Sequence, residues 1–436
     1  MTTPSAPLVV AATLDTKGPA VRVLLDELRR RHCPVLLIDT GTGAGLGPGA
    51  PRAVASDITA DQVEQRGLAV LGSVQGSGRD RLPALGAGLA AIVDDLRHAH
   101  GISGLLAIGG GTGASIAAPA IRRAPVGFPR MLVSTGVTDD VSALVGVGDI
   151  HLVQPVVDFH GDSDLLEVVL RRAAAAMAAV VSLPYRPTTD RPQVGVTSFG
   201  VTEAAVARVV TGLERRGLRV CVFHARGSGG RAMEAMIDQG ALSAVIDLTT
   251  TEVTDEVAGG ARSAGPRRLE AALRAGIPCV LAPGAIDVIN YGPPETVPAE
   301  LAGRATVRHS PTTTLVRASA ADSEAVAEYF AARIGLARHP ERVRVVVPSR
   351  GFSALDATGQ PFFDPVADGA FTVRLRRALP GTVPIREVDA HLTDETFAAA
   401  VLAEFDTVAD FSCGTADTGG RAATAATEGT ERSEPT

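Results

Sequence analysis

The strongest constraint on this chain is that part of it is written twice. Residues 193–225, QVGVTSFGVTEAAVARVVTGLERRGLRVCVFHA, lie over residues 8–41, LVVAATLDTKGPAVRVLLDELRRRHCPVLLIDTG, at an offset of about 184 positions. Each copy runs from an apolar segment through a polar turn into an amphipathic helix with an arginine-rich end, then into a second apolar segment. In the first copy Val21, Leu24, Leu25 and Leu28 recur at helical spacing. The flanking runs are apolar at consecutive positions, which suits strands buried on both faces of a parallel sheet. Further along, SAVIDLTTTE (243–252) aligns with LLAIGGGTGA (105–114), and CVLAPGAID (279–287) with MLVSTGVTD (131–139). The expected architecture is two α/β, Rossmann-like, three-layer domains with mainly parallel sheets, related by internal duplication.

The expected boundaries follow from this. Residues 1–182 form the first domain, and 183–193, with three prolines and no apolar face, form a linker. Residues 194–410 form the second domain, and 411–436 read as a disordered tail without hydrophobic period. A hydrophobic content of 45% with only 3% aromatics and no Trp leaves a core of Ala, Val, Leu and Ile. Forty-one basic residues against 48 acidic ones give a net charge of −7 with no basic block, which argues against nucleic-acid binding. No apolar run reaches the roughly 18–20 residues that span a bilayer, and the N-terminus lacks a secretory pattern. The expectation is a cytoplasmic protein with no membrane partner. Cys33, Cys221, Cys279 and Cys413 are far apart and read as free thiols.

Candidate sites fall where the expected strands end. In an open parallel sheet, ligands sit outside the carboxyl ends of the strands, where the crossover direction changes. Gly109, Gly110, Gly111, Thr112 and Gly113 follow the run LLAIGG and precede an alanine-rich helix. Bare backbone there lets amides approach an anion, and the helix adds its partial positive charge. A tight strand-to-helix turn explains the same glycines without a ligand. Asp15, Thr16 and Lys17 sit in the expected turn LDTKG, where Lys17 can neutralise phosphate and Asp15 can cap a helix over 18–32 or accept from a ribose. Thr40 ends the second run in DTGTG, and Arg81 is a further candidate phosphate contact.

The second half offers a parallel set. His224 ends a strand, and Gly227, Ser228, Gly229, Gly230 and Arg231 form a second glycine loop suited to an anionic group. Thr249, Thr250 and Thr251 end a neighbouring strand and precede Glu252, a candidate support for a magnesium ion; an acidic first helical turn is the plainer explanation. Gly284 follows another strand, and His309 and Arg317 sit in the polar run RHSPTTTLVR. Ser353, Asp356 and His391 suggest a hydrolase set, but no G-x-S-x-G elbow surrounds Ser353.

Taken together and in order, ATLDTKG, the glycine loop, PRMLVSTG, GVTSFGVT, FHARGSGGRAMEAMI, the DLTTTEV segment, PGAIDVINYGP, GFSALDA and DAHLTD carry a specific likeness. From about residue 8 to 405 the chain resembles the ATP-binding, N-terminal inhibitory domain of the tomato mosaic virus resistance protein and its bacterial relatives. The resemblance implies two Rossmann-like domains, a homodimer, and ATP, with or without Mg2+, held by the first domain. Matched residue by residue, it implies nucleotide contacts at Asp15, Thr16, Lys17 and Gly109 to Thr112, with Thr40 and Arg81 as looser matches. The leading expectation is an ATP-binding two-domain protein acting as an ATP-dependent enzyme, for which group transfer or ligation fits two opposed anion cradles. In it, the second-domain cleft takes a small anionic metabolite, with His224 and Glu252 as candidate catalytic residues. The alternatives are a non-catalytic ATP-binding regulatory module and a metal-independent lyase or hydrolase.

Overall fold

The computed structural model describes residues 6–411 apart from 44–53, 73–80, 100, 139, 187–190 and 380, so the expected tail and Cys413 lie outside the described residues. The first half runs β1 (Leu8–Ala12), α1 (Leu14–Arg30), β2 (Val35–Asp39), α2 (Ala60–Leu71), α3 (Arg81–Ala99), β3 (Gly104–Gly109), α4 (Gly111–Arg123), β4 (Arg130–Ser134), α5 (Ser142–Val145), β5 (His151–Val153) and α6 (Asp164–Val180). Its five strands are all parallel, in the order β2-β1-β3-β4-β5.

The alternation of a strand decides where each helix packs. Leu8, Val10 and Ala12 face one side of the sheet, against Leu24 and Leu28 of α1 and Leu170 and Met177 of α6. Val9 and Ala11 face the other side, against Leu85 and Leu89 of α3 and Ile116 and Ile121 of α4. Helices on both faces make the three layers.

The second half continues with β6 (Gln193–Ser198), α7 (Glu203–Arg215), β7 (Arg219–His224), α8 (Ser228–Asp238), β8 (Ala244–Thr249), α9 (Thr251–Ala258), α10 (Glu270–Ala275) and β9 (Cys279–Gly284). It ends with β10 (Val288–Tyr291), β11 (Thr306–Ser310), β12 (Thr313–Arg317), α11 (Ala320–Ile334), β13 (Val343–Pro348), α12 (Pro365–Ala378), β14 (Ile385–Val388) and α13 (Glu395–Val408). Six parallel strands take the order β14-β13-β9-β8-β6-β7. Counted within its own half, this is the order of the first sheet with one strand added. In both halves the crossover direction reverses between the first strand and the third, β1 and β3 or β6 and β8, so each sheet has a crevice at the same point.

Three features depart from the sequence reading. The segment LDTKG is not a turn; helix α1 begins at Leu14, because Asp39 Oδ1 accepts from the Leu14 amide at 3.2 Å and the Thr13 carbonyl accepts from Thr16 and Lys17. Asp15 therefore does not cap a helix starting at 18. The stretch from Asp287 to Arg317, to which no element was assigned from sequence, contains an antiparallel sheet in the order β10-β12-β11. The three-residue β5 was also not anticipated, since its run HLV is too short to show a period.

Helix α4, which carries the first glycine loop at its start, is anchored at its other end by a buried cation. Arg130 is fully buried in β4 and donates from Nη1 to the carbonyls of Ile121 at 2.7 Å and Ala124 at 3.0 Å, and from Nη2 to that of Pro125. These are the carbonyls a helix leaves unmet at its C-terminus. Burial lowers the Arg130 pKa, and Asp149, 3.6 Å away, works against that shift. Arg130→Met should cost about 2–4 kcal/mol by leaving these carbonyls unpaired, read as a lower urea midpoint by circular dichroism.

Candidate functional site

At the first crevice, two helix N-termini meet. Helix α1 starts directly after β1 and α4 directly after β3, and neither N-cap residue, Thr13 or Gly110, caps its helix with a side chain. The first amides of a helix have no partner within it; at α1 the Leu14 amide is met by Asp39, whereas the α4 end offers donors and partial positive charge to the crevice. The two joints touch: a Cβ built on Gly113 would lie 3.6 Å from Thr13 Cγ2, and one on Gly109 would lie 2.9 Å from Gly113 Cα. Gly109 is therefore required by packing, whereas a Cβ on Gly113 would make only ordinary contacts, and Gly111 and Thr112 are exposed with nothing within 4 Å of a Cβ on Gly111. Thr135, after β4, borders the loop with its hydroxyl 3.8 Å from the Gly110 Cβ position.

Of the charged residues at this end of the sheet, Asp15 and Lys17 are buried and Asp158 is exposed. Lys17 is only 8% exposed; its ammonium lies 3.5 Å from Asp158 Oδ1 and 5.3 Å from the centre of the Phe159 ring. The Phe159 amide donates to Asp158 at 2.6 Å and, with Lys17 nearby, holds that carboxyl below its ordinary range. Asp15 is 6% exposed, accepts from the Gly43 amide through Oδ2 at 2.9 Å, and leaves Oδ1 buried with no hydrogen-bond partner. Gly41 is wedged against it: a Cβ there would meet Asp15 Oδ1 and Asp39 Oδ1, each at 3.0 Å. Thr40 is buried at the end of β2, its amide bonded to the Ala12 carbonyl, and Thr16 turns its hydroxyl back to Thr13. Arg81 reaches the rim through the Thr42 carbonyl at 3.2 Å, but its charge is met by Glu64 at 2.5 Å, which raises its pKa. The crevice thus gathers Asp15, Thr16, Lys17, Thr40 and Gly109–Gly113, with Arg81 already spoken for.

The second crevice is different. Its glycine loop already holds a carboxylate, the chain's own: Glu252 Oε1 accepts from the Gly227 amide at 2.5 Å and the Gly230 amide at 3.0 Å, and Oε2 accepts from Arg268 at 2.8 Å. The loop is shaped around it, since a Cβ on Gly230 would lie 2.1 Å from Glu252 Oε2. Arg268, fully buried, also donates to Asp247 at 2.5 and 2.8 Å and to Glu234 at 3.4 Å. Burial works against its charge, yet Asp247, Glu252 and Glu234 hold its pKa well above the ordinary value.

This corrects several expectations. Gly227 and Gly230 have no free amide for an outside anion, and Glu252 has no face open to a metal or substrate. The hydroxyls of Thr249, Thr250 and Thr251 are fully buried and turn to Thr202, the Ala282 carbonyl and the Val288 carbonyl, not to a cleft. Gly284 is a packing glycine, whose Cβ would lie 2.2 Å from the Leu248 carbonyl oxygen. Arg231 is exposed and bonds to the Ser263 carbonyl, while Ser228 and Gly229 open the helix at its surface. His224 is exposed on edge strand β7, its ring tilted at 48° against Phe199 and 3.2 Å from the Ser198 carbonyl, whereas Glu252 and the threonines are buried.

The hydrolase residues come close without forming a triad. Ser353 Oγ donates to Asp287 at 2.6 Å, whereas His391 Nε2 donates to the Ser353 carbonyl at 2.9 Å and its Nδ1 faces Thr393. The serine hydroxyl therefore faces a carboxylate and not the histidine. Asp287, Asp356 and Asp368 instead surround Arg317, which bonds Asp368 at 2.6 Å and lies 3.6 Å from Asp356. Burial pushes Asp287 up to about 7, Asp356 to about 8 and Asp368 to about 6, with carboxylate neighbours adding to each shift. Among the described residues no group of three or more His, Cys, Asp or Glu is placed to hold a metal ion, and no helix is long and apolar enough to cross a membrane.

Two residues central to this geometry were missed from sequence. Asp158 gave only the faint signal of the VVDF motif, and Arg268, in AGPRRLEAA, looks like any surface arginine.

Comparison with known proteins decides the family. Residues 6–186 match the N-terminal domain, and residues 191–409 the C-terminal domain, of the group described as Uncharacterised protein family (UPF0261). The chain belongs to this family. It is 36% identical over 404 residues to the UPF0261 protein of Clostridium tetani (strain Massachusetts / E88), covering 90% of this chain and 96% of that one. It is also 35% identical over 312 residues to the ToMV resistance protein Tm-1(GCR237) of Solanum lycopersicum, covering 70% of this chain and 41% of the tomato protein. That agrees with the likeness read from the motifs. Among solved structures, a UDP-N-acetylglucosamine 2-epimerase overlaps 64% of this chain and 79% of its own at 12% identity and a TM-score of 0.22, too little overlap to carry an argument.

Glu252→Ala should destabilise the protein by about 3–5 kcal/mol, because it leaves Arg268 and two loop amides short of their anion; an unchanged urea midpoint would contradict the self-filled crevice. The three raised aspartates bind protons in the folded state that the unfolded chain has already released, so stability should fall as pH rises from about 4 through 8. Asp287→Asn, which keeps an acceptor for Ser353, should flatten that fall in urea titrations at pH 5 and pH 8.5.

Proposed function

We propose that this chain binds ATP, or a nucleotide like it, in the crevice between the carboxyl ends of β1 and β3. The observation that carries this reading is the N-terminus of α4, which has no side-chain cap and opens at exposed Gly111 and Thr112, beside the N-terminus of α1. In this reading the phosphates lie against the amides of Gly110 to Gly113, where charge-assisted hydrogen bonds are strongest. Lys17 exchanges its loose contact with Asp158 for a phosphate oxygen. The residues fit such a group: the loop is open above Gly111, and Asp15 keeps a buried oxygen in reserve for a ribose hydroxyl or a magnesium ion. Arg81, held by Glu64, shapes the rim.

Between binding and catalysis, the second domain favours binding. Its carboxylate candidate is consumed by its own glycine loop and Arg268, and His224 stands alone at an edge strand. We therefore read the protein as a nucleotide-binding module, acting as a homodimer, whose occupancy is passed on through protein contact. The printed name of the tomato relative, a virus resistance protein, supports an output of that kind. The competing reading, ATP-dependent transfer to a small anionic metabolite, requires ATP to be consumed only when a metabolite pool is present.

Calorimetric titration with ATP and magnesium tests the site. One nucleotide should bind per chain, and Lys17→Ala and Gly111→Asp should each weaken it about tenfold or more. His224→Ala should leave the affinity unchanged. Wild-type affinity in both first-domain variants would remove the assignment.

A further inference from the structure

One sizeable cavity lies away from the crevice. It has a volume of about 800 Å³ and lies at the opposite, amino edge of the first sheet, where the start of β1, the turn before β3, the turn between α4 and β4 and the exit from α6 converge. We propose that this cavity is a second small-molecule site, independent of the nucleotide reading, and that it takes an organic carboxylate with an apolar body.

The lining sets the body of the ligand. Ile102, Val126, Phe128, Val181, Leu183 and Tyr185 wall the cavity, and its volume falls in the range of small-molecule pockets. Leu183 is 80% exposed and Tyr185 47%, so neither is spent on the core. The wall is also built to fit. Gly127 has a φ of +82°, and a Cβ there would lie 2.4 Å from the Tyr185 ring, so this glycine lets the ring close down on the turn.

The polar groups set the head. Arg97 and Arg186 line the cavity, and among the described residues no carboxylate does. Arg97 touches the His98 ring at 3.0 Å, but neither arginine makes an ion pair among the described residues. Two hydrogen-bonding groups there are buried without a partner, Arg97 Nε and Ser103 Oγ. Polar groups in that state are costly unless something meets them. Two guanidiniums with no ion pair among the described residues, lining one partly apolar space, call for an anion. A flat carboxylate matches the guanidinium fork, and its single charge sheds less hydration than a phosphate dianion on entering a cavity walled by Phe128 and Val181.

Octanoate is the probe, with 1-octanol as the uncharged control, followed by calorimetry and ligand-observed NMR on the full chain. Octanoate should bind about tenfold or more tightly than 1-octanol, and the double variant Arg97→Ala, Arg186→Ala should lose about the same factor. Leu183→Asp, which puts a carboxylate on the exposed lip, should weaken octanoate as well. Circular dichroism melting confirms that each variant is folded. No octanoate binding, equal binding of octanoate and 1-octanol, or wild-type affinity in both variants would overturn the proposal.

Discussion

A carboxylate that the chain supplies to itself organises the second half of this protein. Glu252 leaves the start of α9 and fills the amides of Gly227 and Gly230, while Arg268 binds its other oxygen. Asp247 and Glu234 complete the ring around that buried guanidinium. Each group in the ring is tolerable in the interior only because the others are present, since a lone buried charge is far costlier than a paired one. Helix α8, helix α9 and the segment leading into α10 are tied together through this one network.

The first half shares the strand order but not the plug. Its third strand ends in bare glycines where the aligned strand of the second half ends in three threonines and Glu252. The helix that follows is held firmly at its far end by Arg130 and left uncapped at its near end. Two copies of one topology therefore present opposite electrostatics: a loop whose anion is internal, and a loop whose amides face outward. That contrast, more than any single side chain, is what supports putting the proposed nucleotide site on the first domain.

Much of the architecture was legible because buried parallel strands leave uninterrupted apolar runs. LVVAA, VLLID, GLLAIG and RMLVS all became strands, and the offset between the halves anticipated their shared order. The helix from Leu14 was misjudged at its start, because its N-terminal amide is met by Asp39, 25 residues away, and no local cap betrays that. The antiparallel sheet was missed because Asp287, Asn290 and Arg317 gave its strands a polar cast; those side chains are in fact buried in networks. Reading GSGG and TTTE as ligand groups failed for one reason. Glycine amides attract a carboxylate equally well from solvent or from the same chain, and sequence does not distinguish the two sources.

Hydrogen exchange followed by mass spectrometry compares the two glycine loops in one measurement. Before any nucleotide is added, amides over Gly227–Gly230 should already exchange slowly, while those over Gly110–Thr112 exchange fast. ATP with magnesium should then slow only the first-domain loop. Fast exchange at Gly227–Gly230 in the free protein, or protection by ATP appearing there and not at Gly110–Thr112, would contradict the account.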